Sequence, residues 1–270
     1  MSEVLQLNIR LDANGVAAPA QRAAWQCSEL ITFFLNVAAS ADLSKQPEPP
    51  AAGINYKFSS PEMTSAERHD LYENWLLGKG FHELARGVHE TLEEAVLYLE
   101  MFKYRPGQTT VADFQAHVAQ VRARAGRLPF PALLAEVKDG MTSPMVFDDD
   151  FTSFQKVRNC LEHRAGIVGP PDVDATGRLV LTLPRLKALY VLRDEEIEIG
   201  AGSVIDRYEH PEMTEIYVKR DTRVRSYALG ERVRFNAPEF HEIAFACHLF
   251  ASDLATKLPV MPWKAATGPS

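Results

Sequence analysis

The apolar residues of this 270-residue chain change their spacing near Gly177, and this change constrains the fold more than any other feature. Before Gly177 they recur every three or four positions, which is the period of an amphipathic helix. After Gly177 come short segments rich in Val, Ile, Leu and Tyr, separated by turn residues, and these indicate strands. The helical period returns after Asn236. The pattern therefore predicts a mainly α-helical bundle with a small antiparallel β-rich insertion before the last helix.

The same pattern gives the boundaries of the predicted segments. We expect an extended N-terminal segment at 1–17, a helical bundle at 18–174, the β-rich insertion at 175–235, a last bundle helix at 236–258 and a tail at 259–270. The first helix is predicted to run from about residue 19 to 39, with an apolar side made of Ala24, Trp25, Leu30, Ile31, Phe34 and Leu35. The insertion is predicted to contain six short strands, at 178–183, 187–192, 195–199, 215–219, 223–227 and 231–235.

Capping residues and glycines mark where helices begin and end. Three pairs have the spacing of a capping box, in which each side chain bonds the other's backbone N–H: Thr64 with Glu67, Thr110 with Asp113, and Asn236 with Glu239. Gly78 and Gly80 are expected to interrupt the helix that Thr64 opens. A further helix at 150–165 is expected to end at Gly166.

Composition limits the kinds of protein that the chain can be. Its 46% apolar and 24% charged residues are typical of a globular protein. No apolar run approaches the roughly 20 residues that cross a bilayer, and no signal pattern opens the chain, so we expect a cytoplasmic protein without a membrane partner. The three cysteines form no CxxC pair, which argues against a disulfide framework and a cysteine zinc site. With a net charge of −7, any nucleic-acid contact must be a local basic surface.

The segment with the most specific chemistry lies in the helix at 150–165 and reads Arg158-Asn159-Cys160-Leu161-Glu162-His163. Asn159 and His163 are four apart, so they share a helix face and the amide can orient the imidazole. Arg158 and His163 are five apart, which is about 140° around the helix, so they do not point at one spot. Two copies of the helix across a two-fold axis would bring one chain's Arg158 to a phosphate beside the other's His163.

This segment, with the Arg164-Ala165-Gly166-Ile167-Val168 that follows, resembles the signature of the HEPN superfamily: an Arg, a polar residue, and a His four to six positions after the Arg. The resemblance covers about a dozen residues and implies an up-and-down helical bundle that dimerises along the motif helices. Many members of the superfamily are metal-independent endoribonucleases, often of defence or toxin–antitoxin systems, and others are scaffolds. With its β-rich insertion, this chain is larger than a minimal member of the superfamily.

The resemblance implies a role for each residue of the segment. Arg158 would bind and stabilise the scissile phosphate of RNA, His163 would move the proton, and Asn159 would position both. Glu162 and Arg164 are expected to contact the substrate. The implied partners are RNA, a second copy across the motif helix and a separate inhibitor protein, and no cofactor or metal is expected.

Three other readings of the sequence stay open. Arg158 and Glu162 are four apart and can pair as an ordinary surface ion pair, with His163 as a solvated helix-end residue, which would fit a non-catalytic HEPN-like scaffold or interaction protein. A weaker option is a metal site at His82 and His89, seven apart among glutamates. The remaining basic clusters can be either RNA-binding surfaces or solvated faces: Arg122, Arg124 and Arg127, then Lys219, Arg220, Arg223 and Arg225.

Overall fold

The structure, a computed structural model, describes residues 11–48, 61–104, 110–199 and 216–260. The described residues form six helices: α1 (Ala13–Ser40), α2 (Ser65–Lys103), α3 (Val111–Ala125), α4 (Phe130–Gly140), α5 (Asp148–Arg164) and α6 (Ala237–Lys257). Between α5 and α6 lie a short 3-10 turn at Pro170–Asp172 and three strands: β1 (Arg178–Leu192), β2 (Glu195–Glu198) and β3 (Ile216–Ala228). The predicted fold class, a mainly helical protein with a small antiparallel sheet before its last helix, is confirmed.

The three predicted capping boxes open the helices that they were expected to open. Thr64 Oγ1 accepts a hydrogen bond from the Glu67 backbone N–H at 3.2 Å, and Glu67 accepts one from the Thr64 N–H at 2.8 Å. Thr110 with Asp113 and Asn236 with Glu239 repeat this arrangement at the starts of α3 and α6. Helix α5 runs over Asp148–Arg164, close to the predicted 150–165.

Helix α1 begins six residues before the predicted start, so the expectation of an extended segment at 1–17 is wrong for its helical part. Asp12 caps the helix by accepting a hydrogen bond from the Asn14 N–H at 3.0 Å. Pro19 lies inside the helix and supplies no N–H, but the burial of Val16 and Ala20 on either side of it stabilises this turn. Residues 1–10, like residues 261–270 of the predicted tail, lie outside the described residues.

Helix α2 is continuous, so the predicted interruption at Gly78 and Gly80 is wrong. Gly80 is needed for packing, because a Cβ there would lie 2.7 Å from the Phe240 ring and would also meet Ile31. Gly87, two turns further on, lies against the α1 backbone in the same way. These glycines therefore let α1 and α6 approach α2 closely without ending the helix.

Helix α1 buries its small residues and exposes its large ones. Ala24 and Ile31 of its predicted apolar side are buried, but Trp25, Leu30 and Phe34 are exposed, and Leu35 is half-buried. The predicted apolar side therefore faces the core only in part, because the close approach of α2 leaves room mainly for alanine-sized side chains along the contact. The face turned towards solvent consequently carries large apolar side chains.

The core lies between the bundle helices and one face of the sheet. Phe81 of α2 packs on Phe154 of α5 and Phe235 before α6, with ring centroids 4.4 and 4.9 Å apart, and Phe151 packs on Phe250 of α6 at 4.4 Å. These contacts fix α5 against α2 and α6 by burying large aromatic surfaces. None of the helices within the described ranges has an apolar stretch long enough to cross a membrane.

The sheet is antiparallel with the order β2–β1–β3, and it replaces the six predicted strands by three. β1 pairs with β3 from Arg178↔Ala228 to Tyr190↔Ile216. The segment 231–235 forms no strand and carries an isolated bridge, Ile167↔Arg232, beside the end of α5. The predicted 178–183 and 187–192 segments merge into β1, and the predicted 215–219 and 223–227 segments merge into β3 from Ile216 onward.

Strand β1 continues through Pro184, which lies between the predicted 178–183 and 187–192 segments. The backbone N–H groups of Thr182 and Leu186 point away from β3 and are bound by Ser153 Oγ at 3.0 Å and Glu242 Oε1 at 2.6 Å. By the alternation of a strand, the missing N–H of Pro184 falls on this same outer edge. The proline therefore removes no hydrogen bond from the β1–β3 pairing.

Candidate functional site

The C-terminal half of α5 is held rigidly while its outer face stays exposed. Phe151, Phe154, Val157 and Cys160 are fully buried at helical spacing and anchor the inner face. Gly166 has φ 79° and its N–H donates to the Cys160 carbonyl at 3.1 Å, which ends the helix after Arg164 as predicted. The residues on the outer face are therefore presented from a fixed backbone.

Asn159 and His163 line an open pocket of about 440 Å³ on this outer face. Lys156, three residues before Asn159, lies on the same face and lines the pocket too. The remaining walls come from the 171–174 segment and from the start of β1, which contributes Arg178 and Val180. The predicted pairing of Asn159 with His163 on one face is thus present, and the two residues border a cavity.

Arg158 lies outside this pocket. Its guanidinium forms an ion pair with Glu162 of the same helix at 2.8 Å, and Glu162 also lies 3.8 Å from Nδ1 of His82 on α2. Neither Arg158 nor Glu162 is among the pocket-lining residues of the described chain. Within one chain the structure therefore separates the guanidinium of the predicted site from its imidazole, as the 140° spacing on the helix required.

Arg164 lines the pocket but has a structural partner. Its Nε donates to Asp172 Oδ2 at 2.6 Å, and its Nη2 donates to Oδ1 of the same carboxylate. This hydrogen bonding raises the pKa of Arg164. Asp172 also accepts the Gly169 N–H at 2.8 Å and its side chain is only 4% exposed. Arg164 consequently ties the end of α5 to the 170–172 turn that forms one wall.

The pocket has a small excess of positive charge. Its lining includes the cations Lys156, Arg164 and Arg178 and the carboxylates Asp172 and Asp174, so these five groups sum to a charge of +1. Hydrogen bonds from Thr176 lower the pKa of Asp174, and Lys156 lowers it further. Arg178 donates through Nε to Ser226 Oγ at 2.6 Å, which fixes its orientation at the edge of the pocket. An anion such as a phosphate fits this charge balance.

The other basic clusters are largely neutralised by carboxylates. Six of their seven cations are paired in the structure: Arg122 with Glu94, Arg124 with Glu136, Lys219 with Glu196, Arg220 with Asp150, Arg223 with Glu242 and Arg225 with Glu239. Such pairs leave little attraction for a nucleic-acid backbone. The pocket beside α5 is therefore the better candidate for binding a phosphate.

The described residues contain no group of three or more His, Cys, Asp or Glu side chains arranged to hold a metal ion. His89 lies 3.2 Å from Glu93 on its own helix, whereas His82 faces Glu162 of α5. The two histidines thus have different partners. Cys27, Cys160 and Cys247 are buried free thiols, and burial raises the pKa of Cys27 to about 11.

Two pocket residues with useful chemistry were not predicted. Lys156 could have been found from the sequence, because it precedes Asn159 by three positions and His163 by seven, and so shares their face. Arg178 gave no such signal, because only the packing of β1 against α5 brings it to the pocket. No protein-family model, curated protein or solved structure matches this chain significantly.

Proposed function

We propose that this protein is a metal-independent endoribonuclease that binds an RNA phosphate in the pocket beside α5. The observation that carries the proposal is the alignment of Lys156, Asn159 and His163 on one exposed helix face that borders a positively charged pocket. An imidazole and two flanking cations are suited to cleavage of RNA by its own 2′-hydroxyl, which needs proton transfer and stabilisation of a negative phosphorane.

In this proposal each pocket residue has one task. Lys156 and Arg178 bind the non-bridging phosphate oxygens from two different elements. His163 gives its proton to the leaving 5′-oxygen, and the 2′-hydroxyl proton passes to water in the open pocket. Asn159, one turn before His163, orients the imidazole. The products are a 2′,3′-cyclic phosphate and a 5′-hydroxyl end.

Arg158 has no role in the pocket of its own chain. Its predicted role as the phosphate-binding residue requires a partner chain across α5, because its own chain holds it against Glu162, outside the pocket. That homodimer, and the separate inhibitor protein that the resemblance implies, stay predictions. The role of Glu162 as a substrate-binding residue likewise stays a prediction. Arg164 would instead act by shaping the pocket wall through Asp172.

The ion pair between Arg158 and Glu162 favours a second candidate function, a non-catalytic interaction protein of HEPN type. In that case the motif residues serve the fold: Arg158 and Glu162 pair on the helix surface, and Arg164 holds the following turn. This candidate predicts a stable complex and no RNA cleavage at any concentration.

The experiment is incubation of purified protein with a mixed-sequence RNA in excess chelator, followed by analysis of the new ends. We expect cyclic phosphate ends with the wild type and a loss of at least about 100-fold with His163→Ala. His89→Ala is the matched control, because it removes an imidazole that lies outside the pocket. Equal cleavage by His163→Ala and wild type would refute the proposed role, and inactive wild type would favour the second candidate.

A further inference from the structure

The two faces of the β1–β3 pair differ in burial, because successive side chains of a strand point to opposite sides of a sheet. The register places the even-numbered residues of β1 and β3 on one face, which we call the open face. On β3 the even-numbered residues from 216 to 226 are all exposed. On the other face, Leu179, Leu181 and Leu183 of β1 are buried in the core. The open face therefore presents its side chains to solvent along β3.

The open face differs from the other face in charge as well. Within β1 and β3 it carries no carboxylate, although the whole chain has 36 acidic residues and a net charge of −7. Its two charged side chains are Arg178 and Arg220, and Arg220 is held by Asp150. The other face has Asp221, which pairs with Lys187 at 2.6 Å. A phosphate backbone is thus not repelled by any side chain that these two strands present on the open face.

One end of the open face is continuous with the pocket beside α5. Arg178 and Val180 of β1 line the pocket. In the register Val180 lies opposite Ser226, and the next residue on this face, Thr182, lies opposite Val224. Arg178 donates through Nε to Ser226 Oγ at 2.6 Å and through Nη2 to the Ser226 carbonyl at 3.1 Å. A cation of the pocket is therefore held in place by β3.

This end of the open face is apolar at its centre and polar at its sides. Val180 is 39% exposed and Val224 63%. The two valines are diagonal neighbours in the register, a position in which side chains on one face can touch. The hydroxyls of Thr182 and Ser226 flank them. We call this surface the valine strip, defined by Val180, Thr182, Val224 and Ser226, with Arg178 at its pocket end.

We propose that the valine strip binds the nucleotide next to the scissile phosphate, an inference that rests on the proposed ribonuclease function. Arg178 belongs to both surfaces, so a phosphate bound by Lys156 and Arg178 lies at the edge of the strip. A base or ribose that continues from this phosphate then lies over Val180 and Val224. Every base has an apolar face, so the contact adds affinity and tolerates all four bases.

The test compares two valines of the same strand and the same face. Val224 belongs to the strip, whereas Val218 is 53% exposed and lies six residues away, opposite Ala188. Fluorescence anisotropy measures binding of a mixed-sequence 2′-O-methyl RNA of about 12 nucleotides, which the protein cannot cleave. We expect Val224→Glu to weaken binding at least about fivefold and Val218→Glu less than about twofold. Both variants add the same charge, so a general electrostatic effect would be equal in the two.

Val224→Lys separates the charge from an effect on the sheet. We expect it to bind at least as tightly as the wild type, because a cation then faces the RNA backbone. Equal weakening by Val224→Lys and Val224→Glu would overturn the proposal, since the substitutions would then act by disturbing the sheet. Circular dichroism melting of each variant checks that it remains folded.

Cleavage of unmodified RNA provides a second readout. Val224→Glu should raise KM about fivefold and leave kcat within about twofold of the wild type, because the strip contacts the neighbouring nucleotide and not the reacting atoms. If both Glu variants weaken binding equally, or if Val224→Glu has no effect, the strip is overturned while the ribonuclease proposal stands. Binding without cleavage would support the strip in a non-catalytic protein. A wild type that neither binds nor cleaves RNA would overturn both proposals.

Discussion

Helices α1 and α5 pack on different sides of α2 and differ in what they expose. α1 presents Trp25, Phe33 and other large apolar residues, whereas the outer face of α5 presents Lys156, Asn159 and His163. Apolar surface gains free energy when another surface covers it, but a polar pocket functions only while it stays open. The comparison teaches that exposure alone does not mark a site, because, of these two helices, only the outer face of α5 combines exposed polar side chains with a cavity.

The largest expected effect is a difference between two variants of α5. We expect His163→Ala to lower RNA cleavage at least about 100-fold, because it removes the proton donor. Arg158→Ala should lower it by less than about threefold, because the guanidinium is bound to Glu162 outside the pocket. Initial cleavage rates under single-turnover conditions measure both effects.

A severe loss of activity in Arg158→Ala would instead support a dimer across the motif helix. In that case, mixing the Arg158→Ala and His163→Ala proteins should restore up to about a quarter of the wild-type rate, because half of the dimers then carry one intact site. If each site lies within one chain, mixing restores nothing. The mixing result therefore decides whether the site is shared between two chains across α5.

The next effect concerns how closely α1 and α5 pack against α2. A Cβ at Gly87 would lie 2.7 Å from the Ala23 Cβ and 3.1 Å from the Pro19 carbonyl oxygen, so α1 must shift. We expect Gly87→Ala to destabilise the protein by about 2 kcal/mol. Gly78→Ala, which faces α5 at 3.9 Å, should instead stabilise it by about 0.5–1 kcal/mol through helix propensity.

Urea unfolding of the two glycine variants, at one protein concentration, measures this contrast. Opposite signs for two Gly→Ala changes in the same helix exclude propensity as the explanation of the Gly87 result. If both variants are stabilised, the close α1–α2 contact is not rigid, and the reason given for the small residues of α1 is wrong.

A somewhat smaller effect is expected where α5 ends. Asp172→Asn would remove the charge that faces Arg164, whose side chain is partly exposed, and should cost about 1–2 kcal/mol. Asp174→Asn changes an exposed carboxylate that caps a turn at Thr176, and should leave the stability nearly unchanged. Thermal melting of both variants compares them, and an equal loss would show that the Arg164 pair contributes nothing specific.

The fold was more predictable than the site because local patterns determine helices. The pairs Thr64–Glu67 and Thr110–Asp113 marked helix starts correctly, since capping is a contact over three residues. Gly80 was misread because its cause, the Phe240 ring, lies 160 positions away in the chain. The continuity of β1 through Pro184 was missed for a similar reason, because the sequence does not show on which edge of the strand the missing N–H falls.

The candidate site was predictable only along its own helix. Spacing correctly grouped Asn159 with His163 and would have added Lys156. Arg178 reaches the pocket through the packing of β1 on α5, and Asp172 engages Arg164 through the turn after α5, and neither contact has a local signal. The exposure of Phe34 was also not predictable, because an apolar stripe looks the same whether it faces a core or solvent.

The smallest expected effect is a pH dependence at the seam between α1 and α6. His241 Nε2 lies 3.2 Å from Thr32 Oγ1 across this seam, and burial lowers the pKa of His241. The unfolded state therefore binds this proton more readily than the folded state. The resulting stability is complete above the ordinary histidine pKa of about 6.5 and is lost as the pH falls below it.

We expect this group to make the unfolding free energies at about pH 7.5 and 5.5 differ by less than about 1 kcal/mol. His241→Gln should remove that part of the difference, whereas His117→Gln on α3 should retain it. An unchanged pH dependence in His241→Gln would mean that protonation of this ring does not disturb the α1–α6 seam.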